Sequence, residues 1–205
     1  MTEAPTQRER MIALLKEQTM ARAHELIAAG VAATTLSRAV ADGEVIRVGR
    51  GLYQLPDGEV DTGLNLAEAS KRVPKGTICM ISALAYHGLT DQMPRQIWIA
   101  IGAKDWSPSI DYPPLRIVRF RPPNLDYGIE IHQIAKVAVP IYSVSKSLAD
   151  AFRNPKLLDR SVAIECLRNA LKMRKATPAT IAEAAQHGGV WKRIRPYLEA
   201  LTSDG

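Results

Sequence analysis

Residues 21–56 read ARAHELIAAGVAATTLSRAVADGEVIRVGRGLYQLP, and this stretch decides the fold of the N-terminal part of the chain. Helix-forming residues run over 22–29 and again over 33–42. Gly30 follows the first of these runs and readily takes the left-handed conformation that ends helices. Because residues 6–16 also carry apolar side chains at helical spacing, the pattern predicts three helices, the last two joined by a tight turn.

A two-stranded ribbon is predicted directly after the third helix. β-forming residues run over 44–48 and 52–55, and they flank Gly49-Arg50-Gly51, where the glycines suit a hairpin turn. Helices followed by such a ribbon are the order of a winged helix-turn-helix, which places one helix in the DNA major groove and a basic loop beside it. This region therefore predicts a DNA-binding regulator.

A domain boundary is predicted after the ribbon. Pro56-Asp57-Gly58 is a strong turn signal and polar residues follow it, so we expect domains over residues 1–58 and 59–205 with a linker at about 56–63. The expected fold class is α+β, a winged helix-turn-helix followed by a C-terminal α+β domain with a short mixed sheet and a helical tail. In that second domain the pattern predicts helices over 65–72, 80–87, 145–152, 157–175, 178–187 and 190–202, and strands over 97–101, 115–120, 129–134 and 137–142.

The third helix carries the candidate DNA contacts. Ala33, Leu36 and Val40 share one face, which should pack on the first two helices. The polar side chains on the other face are Thr34, Thr35, Ser37 and Arg38. Hydroxyl groups can bond phosphates or base edges, a guanidinium can bond guanine O6 and N7 together, and the N-terminus of the helix favours a phosphate.

Two further candidates lie in the ribbon. Arg47 flanks the hairpin and Arg50 caps it, so both side chains can enter the minor groove or lie along the DNA backbone. The alternative is a solvated hairpin turn without a ligand. The preceding helix pair favours the DNA-binding interpretation.

The charge of the chain is unevenly distributed. The net charge is +6, but residues 1–58 hold seven basic and seven acidic side chains, so residues 59–205 carry the whole excess. A basic excess favours polyanion partners. A DNA-binding N-terminal domain of zero net charge must therefore separate its charges by face, or the second domain must help to bind phosphate.

Catalytic and metal-binding patterns are weak. The four histidines are scattered, the two cysteines lie far apart, and the sequence contains no nucleophile elbow, phosphate-binding loop or dinucleotide fingerprint. Asp126, Glu130 and Lys136 leave a nuclease open as an alternative. We expect no enzyme, no catalytic residue, no metal and no cofactor.

The expected compartment is the cytoplasm. The N-terminus lacks the basic start and apolar stretch of a secretory signal, and no apolar run reaches the ~18 residues that span a bilayer. No membrane partner is therefore expected. Two cysteines in apolar surroundings suit a reducing compartment.

Two groups of charged residues in the second domain leave two interpretations open. Lys146, Asp150 and Arg153 share one helix face, either as intrahelical ion pairs or as a polar recognition face. A basic run follows and includes Arg168, Lys172, Arg174 and Lys175. This run forms either a solvated helix face or a surface that extends the DNA track or binds RNA. A third possibility for the whole chain is a protein-interaction module whose winged helix packs against another protein.

Three sequence blocks resemble the AbiEi family, the antitoxin and transcriptional-repressor members of type IV toxin–antitoxin (abortive infection) pairs. The first ends EVIRVGRGLYQLP at Pro56; the others are ISALAYHGLTDQMPRQIWIAI, residues 81–101, and SVSKSLADAFRNPKLLDRSVAIECLRNAL, residues 143–171. The last two blocks are much more specific than the glycine-bearing hairpin, which many winged helices share.

The resemblance implies a function. It implies that the winged helix binds inverted repeats in double-stranded DNA upstream of its own operon, and that the C-terminal domain neutralises a nucleotidyltransferase toxin of the AbiEii type. It also favours the recognition-face interpretation of Lys146, Asp150 and Arg153. A stable complex with the toxin is not required in such systems, and whether the two proteins touch stays open.

Overall fold

A computed structural model of the chain describes residues 5–18, 20–49, 51–56, 62–108, 110, 112–135 and 137–203. The chain forms two compact units, Met1–Thr62 with Asp111–Pro113, and Gly63–Ile110 with Pro114–Gly205. Most of the predicted linker at 56–63 lies outside the described residues.

The N-terminal unit is a winged helix-turn-helix, as predicted. Its elements are α1 (Gln7–Gln18), β1 (Met20–Arg22), α2 (Ala23–Ala28), α3 (Ala33–Ala41), β2 (Ile46–Gly49) and β3 (Leu52–Gln54). The strands form an antiparallel sheet in the order β1-β3-β2. The strand β1 was not predicted, because three residues between two helices are too short to show an alternating pattern.

A small apolar core holds this unit together. Met11 and Leu15 of α1 are buried with Leu26 of α2 and with Leu36 and Ala39 of α3. Gly30 has a φ of +81°, and the chain then turns back so that the Val31 amide donates to the Leu26 carbonyl at 3.0 Å. The turn between α2 and α3 therefore ends the first helix and places the apolar face of the second against α1.

The prediction that Ala33 belongs to this inward face is wrong. Ala33 is exposed, whereas Leu36 and Ala39 are buried and Val40 is half-buried. Ala33 is the first residue of α3, and contact with the core begins one turn later, at Leu36. The inward face therefore follows the spacing i, i+3, i+4 from Leu36.

The C-terminal unit is an α+β domain with a mixed sheet and a helical tail, as predicted. Its helices are α4 (Thr62–Arg72), α5 (Met80–Tyr86), α6 (Val144–Arg153), α7 (Arg160–Lys172), α8 (Pro178–His187) and α9 (Trp191–Ser203). Its strands are β4 (Thr77–Ile78), β5 (Ile97–Gly102), β6 (Leu115–Phe120), β7 (Ile129–Ile134) and β8 (Val137–Tyr142), in the order β6-β5-β4-β8-β7. The pairs β5–β6 and β4–β8 are parallel, and β4–β5 and β7–β8 are antiparallel.

Both faces of the inner strands β4 and β5 are covered. Side chains alternate across a strand, so Ile99 and Ile101 of β5 pack with apolar residues of α4, while Trp98 and Ala100 pack with residues of α6 to α9. The larger of the two clusters contains Phe152, Leu167 and Ile194 from three of those helices. This coverage explains why β5 reads as the nearly continuous apolar run IWIAIG, whereas every residue of the edge strand β7 is exposed or half-buried.

Helix α7 is shorter than the predicted span of 157–175. Asp159 occupies the N-cap position, so α7 begins at Arg160. At the other end Met173 is the C-cap and Arg174 takes a left-handed φ of +54°, which stops the helix. The two-residue strand β4 was also missed, because so short a strand carries no pattern of its own.

Candidate nucleic-acid interface

The outward face of α3 presents polar side chains to solvent. Thr34, Ser37 and Arg38 are exposed, and Thr35 is half-buried. The helix contains no acidic residue. Among the described residues, Arg38 forms no ion pair and no side-chain hydrogen bond, so its guanidinium is available to a ligand.

The N-terminus of α3 is held by a residue of α1. The Oε1 atom of Gln7 accepts hydrogen bonds from the Ala32 amide at 2.9 Å and from the Thr35 hydroxyl at 2.8 Å. The Thr35 hydroxyl is therefore engaged as a donor, and toward DNA it can act only as an acceptor. The N-cap residue Ala32 has no side chain that could cap the first amides of α3, which leaves them able to bind a phosphate.

Acidic groups at the far end of α3 are neutralised within the unit. The guanidinium of Arg8 on α1 forms ion pairs with Asp42 and Glu44, which follow α3. Hydrogen bonds to these two carboxylates raise the pKa of Arg8. Because Asp42 and Glu44 are paired with Arg8, their repulsion of a phosphate backbone is reduced, although the unit as a whole has no excess positive charge.

The ribbon places one candidate on the surface. Arg47 of β2 is exposed and lies opposite Tyr53 of β3 in the antiparallel register. Arg50, the other candidate, lies outside the described residues. Tyr53 is half-buried against the small core.

Helix α6 contradicts one interpretation of the charged residues in the C-terminal unit. The side chains of Lys146 and Asp150 are only 2% and 1% exposed, and their Nζ and Oδ1 atoms are 2.8 Å apart. Arg153 is 20% exposed and donates from Nη2 to the same carboxylate oxygen at 2.7 Å. The recognition-face interpretation is therefore wrong for Lys146 and Asp150, because their charges meet each other inside the domain.

The buried pair is enclosed by aromatic rings. The Nζ atom of Lys146 lies 5.1 Å from the ring centre of Phe120 and 4.8 Å from that of Tyr142. Burial lowers the pKa of Lys146 and raises the pKa of Asp150, and the attraction between the two charges opposes both shifts. The ion pairs lie within α6, and the two ring contacts join Lys146 to the ends of β6 and β8.

The basic run that follows is mostly exposed. Arg168 and Lys172 are exposed one turn apart on α7, and Arg174 is exposed just beyond its end. Lys175 is also exposed, but its Nζ atom donates a hydrogen bond to the His87 carbonyl. Arg168, Lys172 and Arg174 therefore remain the candidates for a basic surface.

The described residues do not assemble the alternative metal-dependent nuclease site. Within them, no three His, Cys, Asp or Glu side chains lie close enough to hold a metal ion. Glu130 contacts His132 at 3.3 Å rather than Asp126, and Lys136 lies outside the described ranges. Cys79 and Cys166 are buried thiols, and burial raises the pKa of both, to about 12 for Cys166.

No helix in the described part of the chain is long and apolar enough to cross a membrane.

The sequence pattern did not identify two residues that contact α3 or the segment just after it. Gln7 and Arg8 both lie in the first turn of α1, and both act on α3. Their signal is faint: the polar run QRER would look the same on a helix that contacts nothing. Only the crossing of α1 and α3 shows what they do.

Comparisons with known proteins agree with this fold. The chain matches the crystal structure of the RV2827C protein from Mycobacterium tuberculosis with a TM-score of 0.59 and 15% sequence identity, over 96% of this chain and 82% of that chain. At this identity the match shows a shared fold, which extends through both units. No protein of curated function matches the sequence.

A sequence model of one protein family matches residues 9–56, which span the winged helix from α1 to the end of the ribbon. The family is described as "Transcriptional regulator, AbiEi antitoxin", so it is a family of regulators and not of enzymes. The N-terminal winged helix therefore matches the family that the sequence blocks resemble, the AbiEi antitoxin transcriptional regulators.

Proposed function

We propose that this protein is a DNA-binding transcriptional autorepressor and the antitoxin of a type IV toxin–antitoxin pair, countering a nucleotidyltransferase toxin of the AbiEii type. The observation that supports it most is the exposed polar face of α3, within the segment that matches the regulator family. The proposed DNA partner is double-stranded and carries inverted repeats upstream of its own operon. The proposed site of action is the cytoplasm.

The contacts of α3 suit insertion into the major groove. Thr34 and Ser37 are small, so the helix backbone can approach the base edges, and Arg38 is long enough to reach a guanine. The uncapped N-terminus of α3 would bind a backbone phosphate, and the bonds from Gln7 would hold that end in place. Thr35 would contribute an oxygen acceptor only.

The ribbon would add contacts beside the groove. We assign Arg47 and Arg50 to the minor groove or the DNA backbone, as is usual for basic loops next to a recognition helix. Arg47 is exposed, as this role requires.

The C-terminal unit would supply the remaining phosphate contacts. Residues 59–205 carry the whole net charge of +6, and Arg168, Lys172 and Arg174 are exposed along and just after α7. We propose that this surface extends the DNA track or binds RNA. If this surface binds RNA, antitoxin and toxin would act on a shared RNA target without forming a stable complex.

Gel shifts on the DNA upstream of its own gene test the regulator. Arg38→Ala should weaken binding by about 1–3 kcal/mol, or roughly 5- to 150-fold, because a bidentate contact to guanine is lost. Lys16→Ala is the matched control: it removes one exposed positive charge from α1 and should bind nearly as the unaltered protein does. If Arg38 contacts phosphate alone, its loss should weaken binding equally on every DNA sequence. The slope of log affinity against log salt concentration should then fall by roughly one.

Unchanged binding by both Arg38→Ala and Arg47→Ala would show that these residues do not contact the operator. Failure of the whole chain to bind any DNA at low salt would refute the regulator.

Co-expression with a neighbouring nucleotidyltransferase gene tests the antitoxin. The intact chain should restore growth, and Arg38→Ala should lose repression while keeping this rescue. Combined substitution of Arg168, Lys172 and Arg174 by Gln tests the basic surface, because these side chains are exposed and their loss should not unfold the domain. No rescue by the intact chain would contradict the antitoxin role.

A further inference from the structure

A cleft opens in the C-terminal unit, and none of the residues assigned above belongs to its lining. Its volume is about 390 Å³, and it lies between the loop that precedes β5, strand β6 and the loop that leads into α7. The charged residues of its lining are Arg95, Arg116, Lys156 and Asp159, and Trp98 forms part of its wall. The volume falls in the range of small-ligand sites, about 300–1,000 Å³.

The cations of the cleft lack acidic partners. Arg95, Arg116 and Lys156 are exposed, and among the described residues none of them forms an ion pair. Asp159 is the single acidic residue in the lining. Like charges that line one cleft repel each other, and a bound anion would remove this repulsion.

Arg116 provides a flat platform at the cleft wall. In the parallel pairing of β5 and β6 it lies beside Trp98, and its guanidinium carbon sits 4.0 Å from the centre of the indole ring. This contact holds the guanidinium on the ring, and Arg116 is exposed and forms part of the cleft lining. Guanidinium planes held in this way stack on nucleobases.

The wall behind Arg116 is rigid. Trp98 is 7% exposed, its amide donates to the Ser82 hydroxyl at 2.9 Å, and its carbonyl accepts from the Cys79 amide at 2.9 Å. The Trp98 backbone is therefore bound to α5 and its N-cap residue Cys79, and an ordered backbone lowers the entropic cost of binding.

The N-terminus of α7 adds to the positive potential. Asp159 and Val162 of this end line the cleft, and the Asp159 side chain makes no capping bond to the first amides of the helix. A helix of 13 residues with uncapped amides favours a negative group at that end.

We propose that this cleft binds a small phosphorylated ligand of mononucleotide size. The phosphate would lie between Lys156, Arg95 and the start of α7, and the base would stack on Arg116. No residue of α3 lines this site, and the proposal does not depend on the regulator function.

Calorimetric titration of the full-length protein at low salt tests the cleft, with pyrophosphate, AMP, GMP and adenosine as probes. We expect saturable binding of the nucleotides, weaker binding of pyrophosphate and none of adenosine. The double variant Arg95→Gln/Lys156→Gln should bind AMP and GMP at least 10-fold more weakly. Both side chains are exposed and unpaired among the described residues, so the variant should melt as the wild type does.

The matched control is Lys71→Gln/Lys192→Gln, which removes two exposed charges outside the cleft and should keep the affinity for nucleotides. Three results would overturn the proposal: no saturable binding of any nucleotide at millimolar concentration, adenosine binding as tightly as AMP, or equal losses in the two double variants. Operator binding in gel shifts should be the same for both double variants. A loss confined to the cleft variant would show that the cleft is part of a nucleic-acid track and not a nucleotide site.

Discussion

Helices α3 and α6 carry similar polar patterns but place them in opposite surroundings. In α3 the apolar Leu36 and Ala39 are buried, and the polar side chains Ser37 and Arg38 are exposed. In α6 all residues from 146 to 152 are buried, the charged ones included. The spacing of polar residues is helical in both, so spacing alone does not separate a ligand-binding face from a buried network.

The number of packing partners makes the difference. Helix α6 is contacted by α5, α7, α8 and α9, whereas the main helical contact of α3 is with α1. A helix enclosed on all sides has no solvent face, so any charge on it must find a partner inside the protein. Lys146 and Asp150 meet this condition through each other and Arg153.

The largest effect is expected at Asp150, and it tests the buried half of the comparison. Asp150→Ala should lower the free energy of unfolding by about 3–5 kcal/mol, because it leaves the Lys146 ammonium buried without its carboxylate. Urea unfolding followed by circular dichroism measures this change.

The matched control is the exposed pair Arg195–Glu199, which has the same i, i+4 spacing with both side chains 57% exposed. Glu199→Ala should cost less than about 0.5 kcal/mol. Equal losses in the two variants would break the comparison. The double substitution Lys146→Met/Asp150→Leu should recover part of the loss, because apolar side chains of similar volume can replace a buried ion pair.

A smaller effect is expected at Gln7, and it sharpens the exposed half. Gln7→Ala removes the acceptor that joins α1 to the Ala32 amide and the Thr35 hydroxyl, so we expect a loss of about 1 kcal/mol in stability. Operator affinity should fall several-fold at the same time, because the N-terminus of α3 loses its support. Thermal unfolding and gel shifts measure the two changes.

Gln18→Ala is the control for Gln7, since Gln18 is an exposed residue at the other end of α1 and should change neither quantity. If Gln7→Ala behaves like Gln18→Ala, the bonds from α1 do not position α3.

The smallest effect concerns His87, next to the N-terminus of α6. Its Nε2 atom lies 2.8 Å from the Tyr142 carbonyl, which can only accept, so Nε2 carries the proton. Burial lowers the pKa of His87 from its ordinary value of 6.5, while the nearby charges of Glu130, His132 and Lys175 partly offset one another. Below pH 6.5 the unfolded chain therefore binds a proton at this histidine more readily than the folded chain does. The free energy of unfolding should then fall as the pH is lowered.

The loss in the free energy of unfolding should be absent above about pH 7. Below about pH 6.5 it should not exceed about 1.4 kcal/mol per pH unit. Urea midpoints at pH 7.5 and 5.5 measure it. His87→Gln keeps a donor for the Tyr142 carbonyl and should flatten the dependence, whereas His24→Gln, on the exposed side of α2, should keep it. An unaltered dependence in His87→Gln would rule out His87 as its source.

Local elements of the fold were predictable because their causes are local. Strands β6, β7 and β8 have the predicted bounds, since their residues form alternating or branched runs and Pro114 and Gly128 mark the starts of β6 and β7. The turn at Gly30 and the start of α8 at Pro178 follow from the conformational preferences of those residues.

Features that depend on distant partners were not predictable from the sequence. The order of the sheet puts Trp98 beside Arg116, and no local pattern connects the two. The burial of Lys146 likewise depends on helices from distant parts of the chain. On the candidate interface, sequence identified the polar residues of α3, but not Gln7 and Arg8, which act on it from another helix.

The pairing of β4 with β8 has a consequence for how the protein is made. The winged helix takes its core from residues 11 to 55, so every piece of that core has left the ribosome early in synthesis. Ile78 of β4, in contrast, pairs with Ile141 of β8, and the sheet stays incomplete until the much later strand emerges. During translation the core of the winged helix can therefore form while the C-terminal sheet still lacks β8. The two halves then differ in how long they are exposed to chaperones and proteases.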